Sequence, residues 1–306
     1  MEILRFNIHT PVPSNVDITA CIGYFDGVHK GHQQLIKKTI EIAKKTNTIP
    51  SLITFDPDPW VVIKKLHHIP HITPMKHRQE IGKELGIQRW IILDFQDDMA
   101  KLNYHQFHEL VLNALHIKTL VCGFDFHYAY RGEGSIATLK SQDTFDVVVI
   151  DEIASNDEKI SSTRIERLIK DGKMEDVRAI MGRIYELRGI VKSGNRIGRK
   201  YGFPTANLAL NANYILPKNG VYIGSVKVGE QWHSAIINVG HNPSFNYQQN
   251  TSIEAFILDF NEEIYDMEVS YRFHAFLREE KHFDGMDALK AQLEKDTQSA
   301  RAYFLR

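Results

Sequence analysis

Apolar and polar residues follow two different rhythms along the chain. From residue 17 to about residue 152, short apolar runs ("DITACIGYF", "IPSLITF", "RWIILDF", "KTLVCGFDF", "DVVVIDEI") alternate with segments whose apolar residues recur every three or four positions ("HQQLIKKTIEIAKKT", "PMKHRQEIGKELGI", "YHQFHELVLNALHI"). The first kind suits buried strands and the second suits helices with one packed face. Strands separated by helices of this length imply βαβ units and a parallel sheet. Ligands of such sheets gather at the carboxyl ends of the strands. The rhythm changes after a helical pair, "SSTRIERLIKDGKMEDVRAIMG". Glycine-punctuated runs follow ("YELRGIVKSG", "GVYIGSVKVG", "QWHSAIINVG", "SIEAFILDF", "MEVSYRFHAFL") and predict a small antiparallel barrel or sandwich. The final stretch, "DGMDALKAQLEKDTQSARAYF", is again helical in period. The change of rhythm places a domain boundary at Gly182, giving domains 1–182 and 183–306.

A chain of 306 residues has room for two cores. Its net charge of −1, from 37 basic and 38 acidic residues, gives no global reason to expect nucleic acid or a membrane as partner. A polyanion must instead be met by a local constellation. Two distant cysteines, Cys21 and Cys122, offer no zinc spacing and no disulfide framework. The amino-terminal "MEILRFNIHT" lacks the apolar core of a signal peptide, and no apolar run nears the ~20 residues of a membrane span. A cytoplasmic protein, monomeric or weakly self-associating, is expected.

Residues 21–32, "CIGYFDGVHKGH", hold three glycines and two histidines directly after a strand-like run. A helix starting at or near His29 puts His29 and His32 on one face of its first turn. Its unpaired N–H groups and partial positive charge suit an anion. Gly23 and Gly27 permit a sharp turn, and Gly31 removes a side chain where a planar ring could lie close. Alone, His-x-x-His more often marks two surface imidazoles. With these glycines, Asp26 and the position after a strand, it reads as a polyphosphate site. In "RGIVKSGNRIGRKYGFPTANL", Gly194, Gly198 and Gly202 recur every four residues among Lys192, Arg196, Arg199 and Lys200. No Walker A pattern occurs. The segment could be a basic surface hairpin or a cradle of backbone donors for phosphate.

"GYFDGVHKGHQ" resembles the signature of the bacterial bifunctional riboflavin kinase/FMN adenylyltransferase family, and "HKGH" the histidine motif of nucleotidylyltransferases. "TFDPDP", "CGFDF", "ISSTRI", "GFPTAN", "GVYIGSV", "INVGHNPSF" and "IEAFILDFNEEIYD" follow in family order. The resemblance implies an α/β plus β fold: a Rossmann-like nucleotidylyltransferase domain, a riboflavin-kinase-type barrel and a terminal helix. It implies that riboflavin and MgATP give FMN, and that FMN and ATP give FAD and pyrophosphate. His29 and His32 then contact phosphates, in a nucleotide site shared with Gly23, Phe25, Asp26, Gly27, Gly31 and Asp125. Ser162, Thr163 and Arg164 clamp the triphosphate, although Thr163 and Glu166 also fit a capping box. Phe55, Pro57 and Pro59 lie near FMN. In the kinase, Gly194, Arg196, Gly198 and Gly202 join the phosphate site, Thr205 and Asn207 offer hard oxygens to Mg²⁺, and Glu254 is the base. Without the family match, Asp259, Glu262 and Glu263 would be equal candidates for that base. Arg278, beside a terminal helix that could form a lid, is a candidate flavin contact. One departure stands out: where the family usually has Phe-Gly, "DFHYAYRGEG" has Tyr128 and Ala129. Two alternatives keep the fold. Only one domain is active, the kinase being the one retained, or the chain binds flavin or nucleotide as a regulator without turnover.

Overall fold

In the computed structural model the five apolar runs of the first half become five strands of a six-stranded sheet. The structure describes residues 1–10, 16–67, 69–152, 154–155, 158–192, 203–241 and 251–305. Contacts divide the chain into two units, Met1–Ser162 and Thr163–Arg306.

The first unit runs β1 (Glu2–Phe6), β2 (Ile18–Ile22), α1 (Lys30–Thr46), β3 (Ile49–Asp56), α2 (Pro59–Lys64), α3 (Met75–Leu85), β4 (Arg89–Asp94), α4 (Asp97–Ala100), α5 (Tyr104–Phe107, extended by a π-helical stretch His108–Asn113), β5 (Ile117–Gly123), α6 (Ile136–Lys140) and β6 (Asp146–Ile150). A short hairpin, β7 (Ala154–Ser155) and β8 (Glu158–Lys159), follows. The sheet order is β1-β4-β3-β2-β5-β6, and every pairing is parallel. Alternate residues of one strand enter opposite cores. Ala20 and Ile22 join Leu112 and Leu139 on one face, while Cys21 joins Ile36 and Ile81 on the other. Burial on both faces is why these strands read as continuous apolar runs. Strand β1, which the periodicity does not flag, is an edge strand with only Phe6 buried.

The chain steps from β2 to β3 and β4 on one side, then returns to β5 and β6 on the other. The switch point therefore lies between β2 and β5. In a doubly wound sheet the crevice outside the carboxyl ends at that point is where ligands bind.

The second unit contains α7 (Ser162–Lys170, whose first residue groups with the sheet), α8 (Met174–Met181), β9 (Tyr185–Lys192), β10 (Thr205–Leu210), β11 (Gly220–Val228), β12 (Gln231–His241), β13 (Thr251–Ile257), β14 (Glu268–Arg278) and α9 (Met286–Phe304). The strands close into an antiparallel barrel, β10-β13-β12-β11-β14-β9, sealed by the β9–β10 pairing. Barrel is thus the outcome of the barrel-or-sandwich expectation. Gly182 is the left-handed carboxyl cap of α8, at φ 76°. Helix α9 covers the barrel exterior, where Ala300 and Tyr303 pack against Val221, Ile223, Ile236 and Leu258. Among the described residues no helix is long and apolar enough to cross a membrane.

Candidate active sites

The motif at 23–32 follows β2, and those at 54–59 and 122–126 begin in the last residues of β3 and β5; the three strands are neighbours at the centre of the sheet. After β2 the chain makes a 3₁₀ turn over Asp26–Val28 and enters α1. Phe25 (φ 58°), Gly27 (φ 79°) and Val28 (φ 36°) all hold left-handed backbone. For a β-branched residue such as Val28 this is strained, and such strain collects at functional turns. Asp26 is buried, and its two carboxylate oxygens accept from the amides of Ile72 and Thr73 at 3.0 and 2.9 Å, tying the turn to the loop before α3. Phe25 is fully buried, its ring 5.0 Å from that of His32, so its side chain backs the imidazole from the core.

His29 caps α1: its Nδ1 accepts from the His32 amide at 3.3 Å. With Nδ1 accepting, a neutral His29 carries its proton on Nε2, which becomes a donor. The two imidazoles stack at 3.7 Å with 17° between their planes. A Cβ at Gly31 would lie 3.0 Å from His29 Cε1 and 3.1 Å from Nδ1. The side chain removed at Gly31 therefore makes room for the His29 ring itself.

Ser162 Oγ donates to the Asp26 carbonyl at 2.9 Å, bringing the start of α7 to the turn after β2, and Thr163 and Arg164 continue that first helical turn. Asp125, two residues beyond β5, pairs with Lys159 of β8. Phe55, the next-to-last residue of β3, lies edge-on to Phe95 at 5.7 Å. Pro57 follows a cis peptide bond, and Pro59 occupies the first turn of α2 behind the capping Asp58. One supporting residue escaped sequence reasoning. Arg78, 2% exposed, donates from Nη1 to the Tyr24 carbonyl at 2.7 Å and lies over the Tyr24 ring. Nothing in its helical pattern distinguishes it from a surface arginine.

The "HYAYRGEG" departure keeps a glycine-like backbone. Ala129 stands at φ 64°, ψ −173°, a region that essentially only glycine enters at low cost. Tyr128 and Gly134 exchange backbone hydrogen bonds at 3.2 and 3.0 Å.

In the barrel, Asn207 of β10 and Asn238 of β12 both stand opposite Glu254 of β13. Thr205 Oγ donates to Glu254 Oε2 at 3.2 Å. Period-two alternation places Thr205 and Asn207 on one face of β10, and Ala206 and Leu208 face the interior. A hydroxyl, two amides and a carboxylate thus converge across three strands. A cavity of ≈ 260 Å³ opens beside Thr205 and Asn207, lined also by Phe260, Ile264 and Tyr265. A second, of ≈ 300 Å³, lies between barrel and α9 and is lined by Phe203, Phe256, Leu258, Asp259, Thr297 and Arg301. Phe256 shares the outward face of β13 with Glu254, and its ring meets that of Phe203 at 5.1 Å. Gly194, Arg196, Gly198 and Gly202 lie outside the described residues.

Arg278, the candidate flavin contact, is engaged within the second unit. Its Nε and Nη2 donate to the buried carboxylate of Asp296 on α9, at 2.7 to 3.1 Å, and Nη1 donates to the Glu279 carbonyl at 3.0 Å. A guanidinium committed in this way anchors the helix to the barrel.

Residues 13–164 match the family model described as FAD synthetase, and residues 181–304 the one described as riboflavin kinase. A bifunctional riboflavin kinase/FMN adenylyltransferase of Listeria monocytogenes is 36% identical over 304 residues, 97% of each chain. Its counterpart in Bacillus subtilis is 33% identical over 290 residues, 92% of this chain and 91% of the relative. A crystal structure from Streptococcus pneumoniae, described as a macrolide-efflux protein, matches with a TM-score of 0.91 and 30% identity over 98% of this chain and 99% of that one. That description differs from the names of the curated relatives, and the fold is what the two proteins share.

Proposed function

The chain belongs to the bifunctional riboflavin kinase/FMN adenylyltransferase family, and from that premise we propose how its residues divide the work. It is a transferase that phosphorylates riboflavin with ATP to FMN and adenylylates FMN with ATP to FAD. The observation that carries the division is the pair of separate constellations, one at the switch point of the parallel sheet and one across three barrel strands.

At the switch point, an FMN phosphate oxygen attacks the α-phosphorus of ATP, the bond to the bridging β-oxygen breaks, and pyrophosphate leaves. The nucleophile is already an anion, so alignment and charge stabilisation supply the catalysis. His29 Nε2, His32 and the first amides of α1 donate to the phosphates. Gly23, Phe25 and Gly27 set the backbone of the turn, Asp26 pins it, and Gly31 clears space for His29. Ser162, Thr163 and Arg164 close on the triphosphate, and Asp125 lies at the nucleotide side of the crevice. Phe55, Pro57 and Pro59 shape the flavin side.

In the barrel, Glu254 takes the proton from the terminal ribityl hydroxyl as that oxygen attacks the γ-phosphorus and ADP leaves. The flavin ring occupies the cavity lined by Phe203 and Phe256, a placement supported by Phe256 standing two residues from Glu254 on one face. The donors present fit Mg²⁺: the Thr205 hydroxyl and the Asn207 carbonyl are hard oxygens beside a carboxylate, suited to an ion that takes its remaining ligands from phosphate and water. Bound there, Mg²⁺ neutralises phosphate charge. Gly194, Arg196, Gly198 and Gly202 stay phosphate-cradle candidates through the family resemblance alone. Cys21 and Cys122 are both free and buried, and burial pushes their thiols up to about 12 and about 11.

The test is to incubate the full chain with riboflavin and MgATP, and separately with FMN and MgATP, and to resolve the flavins by chromatography. FMN and FAD are expected in the first mixture and FAD in the second. FMN without FAD would leave a kinase alone, and turnover in neither would leave a binding protein.

A further inference from the structure

The loop after β5 is where this chain carries Tyr128 and Ala129 in place of Phe-Gly, and the substitution comes with partners of its own. Tyr128 is buried, and its hydroxyl makes two hydrogen bonds, with His108 Nε2 at 2.5 Å and with Thr138 Oγ1 at 2.9 Å. Their direction follows from the proton count. The single Thr138 hydroxyl proton goes to the Ser135 carbonyl at 2.8 Å. The Tyr128 hydroxyl therefore donates to Thr138 and accepts from His108 Nε2–H. This relay runs from His108, the first residue of the π-helical stretch, through the loop to the first turn of α6. A phenylalanine at 128 could make neither link. Room for the ring is also provided: a Cβ at Gly134 would lie 2.6 to 2.7 Å from Cζ, Cε1 and Cε2 of Tyr128. The Tyr128 ring in turn stacks with Phe126 at 5.6 Å, with 12° between the planes, and Phe126 is the neighbour of Asp125 at the crevice.

Resting on the adenylyltransferase reading of this crevice, we infer that His108 is a positioning residue for FAD formation: through the Tyr128 hydroxyl and Thr138 it fixes the loop that presents Asp125 and Phe126. It acts through Tyr128 and not on a reacting atom. Its loss therefore weakens binding in the ground state and the transition state alike, and the chemical step is spared.

The experiment measures FAD formation from FMN and MgATP by the full chain, resolved into kcat and KM for ATP. Riboflavin phosphorylation by the same preparation is the reference, and urea unfolding reports stability. The variants are Tyr128→Phe, His108→Leu, His108→Gln and the Tyr128→Phe, His108→Leu double variant. Tyr128→Phe and His108→Leu each raise KM for ATP about 2- to 10-fold, the range for one hydrogen bond, and kcat stays within about twofold. His108→Gln, whose amide can still donate, recovers most of the loss. Stability and kinetics part in the double variant. Two apolar partners there replace two polar ones, so unfolding returns toward the wild type. KM for ATP stays as high as in either single variant, because both changes cut the same relay. An unchanged KM in folded Tyr128→Phe overturns the inference. So does a KM that recovers with stability in the double variant, or riboflavin phosphorylation that falls in step with FAD formation. A wild type that forms no FAD overturns the adenylyltransferase reading and this inference with it, a result distinct from the others.

Discussion

Gly31→Ala separates helix propensity from site geometry. Gly31 is the second residue of α1, where alanine gains up to about 1 kcal/mol of helix propensity. The new methyl, however, would meet the His29 ring at 3.0–3.1 Å, several tenths of an ångström inside ordinary contact. His32 stacks against His29 at 3.7 Å, so the ring can give way only by turning, which loosens the 3.3 Å cap from the His32 amide. A lost cap costs about 1 kcal/mol. The two effects nearly cancel, and overall stability changes by less than about 1 kcal/mol. Catalysis does not share in that cancellation. Misplacing a group by about 1 Å can cost about 100-fold, so a shift of a few tenths is expected to lower kcat for FAD formation by roughly tenfold. The assay is FAD formation from FMN and MgATP, with riboflavin phosphorylation by the same preparation as the internal reference. Unchanged FAD kinetics in a folded Gly31→Ala variant would refute the claim that Gly31 exists to seat His29.

Other consequences follow from particular residues. Relieving the Ala129 backbone (φ 64°, ψ −173°) is worth about 1–3 kcal/mol. Glycine's extra chain entropy takes back roughly 0.5–1 kcal/mol, and the methyl packed on the core up to about 0.8 kcal/mol. At the midpoints of these ranges Ala129→Gly is expected to stabilise the first unit by about 1 kcal/mol, seen as slower native-state hydrogen exchange of β5 amides; faster exchange would contradict it. Asp296→Asn strands the Arg278 guanidinium in a pair whose side chains are 14% and 3% exposed, and loss of about 3–5 kcal/mol is expected in urea unfolding of the barrel unit. Burial, with Arg178 and Arg272 nearby, pulls His274 down to about 4. Its neutral ring bonds Ser225 and meets Tyr303 and Phe304 of α9 edge-on. Because the folded value lies below the ordinary 6.5, the stabilisation is full above pH 6.5 and is lost as pH falls toward 4. Amides at the end of α9 should exchange faster at pH 5 than at pH 7, after correction for intrinsic rates, and His274→Gln should flatten that dependence.

The parallel sheet was legible because strands buried on both faces leave unbroken apolar runs, and the histidine turn because glycine, carboxylate and imidazole crowd a single strand end. Strand β1 was not, since an edge strand with one buried residue has no run to show. Strand β10 was not flagged either: it begins inside "GFPTAN", and its alternation is hidden by a motif whose polar residues point outward. The convergence of Thr205, Asn207 and Glu254 depends on cross-strand register between segments some fifty residues apart, which no local pattern encodes; the family resemblance supplied it instead. The Arg278 pairing was not legible, because a sequence shows a cation and not its partner, which is Asp296, eighteen residues on.

The central claim is that one polypeptide carries two ATP-dependent reactions at separate sites. The most direct measurement is a crossed comparison of Glu254→Gln with a His29→Ala, His32→Ala double variant, each given riboflavin or FMN with MgATP and its products separated by chromatography. Glu254→Gln should lose FMN formation yet still convert supplied FMN to FAD, while the histidine variant should accumulate FMN and make no FAD. If either variant lost both reactions while still folded, the division between the two sites would be contradicted.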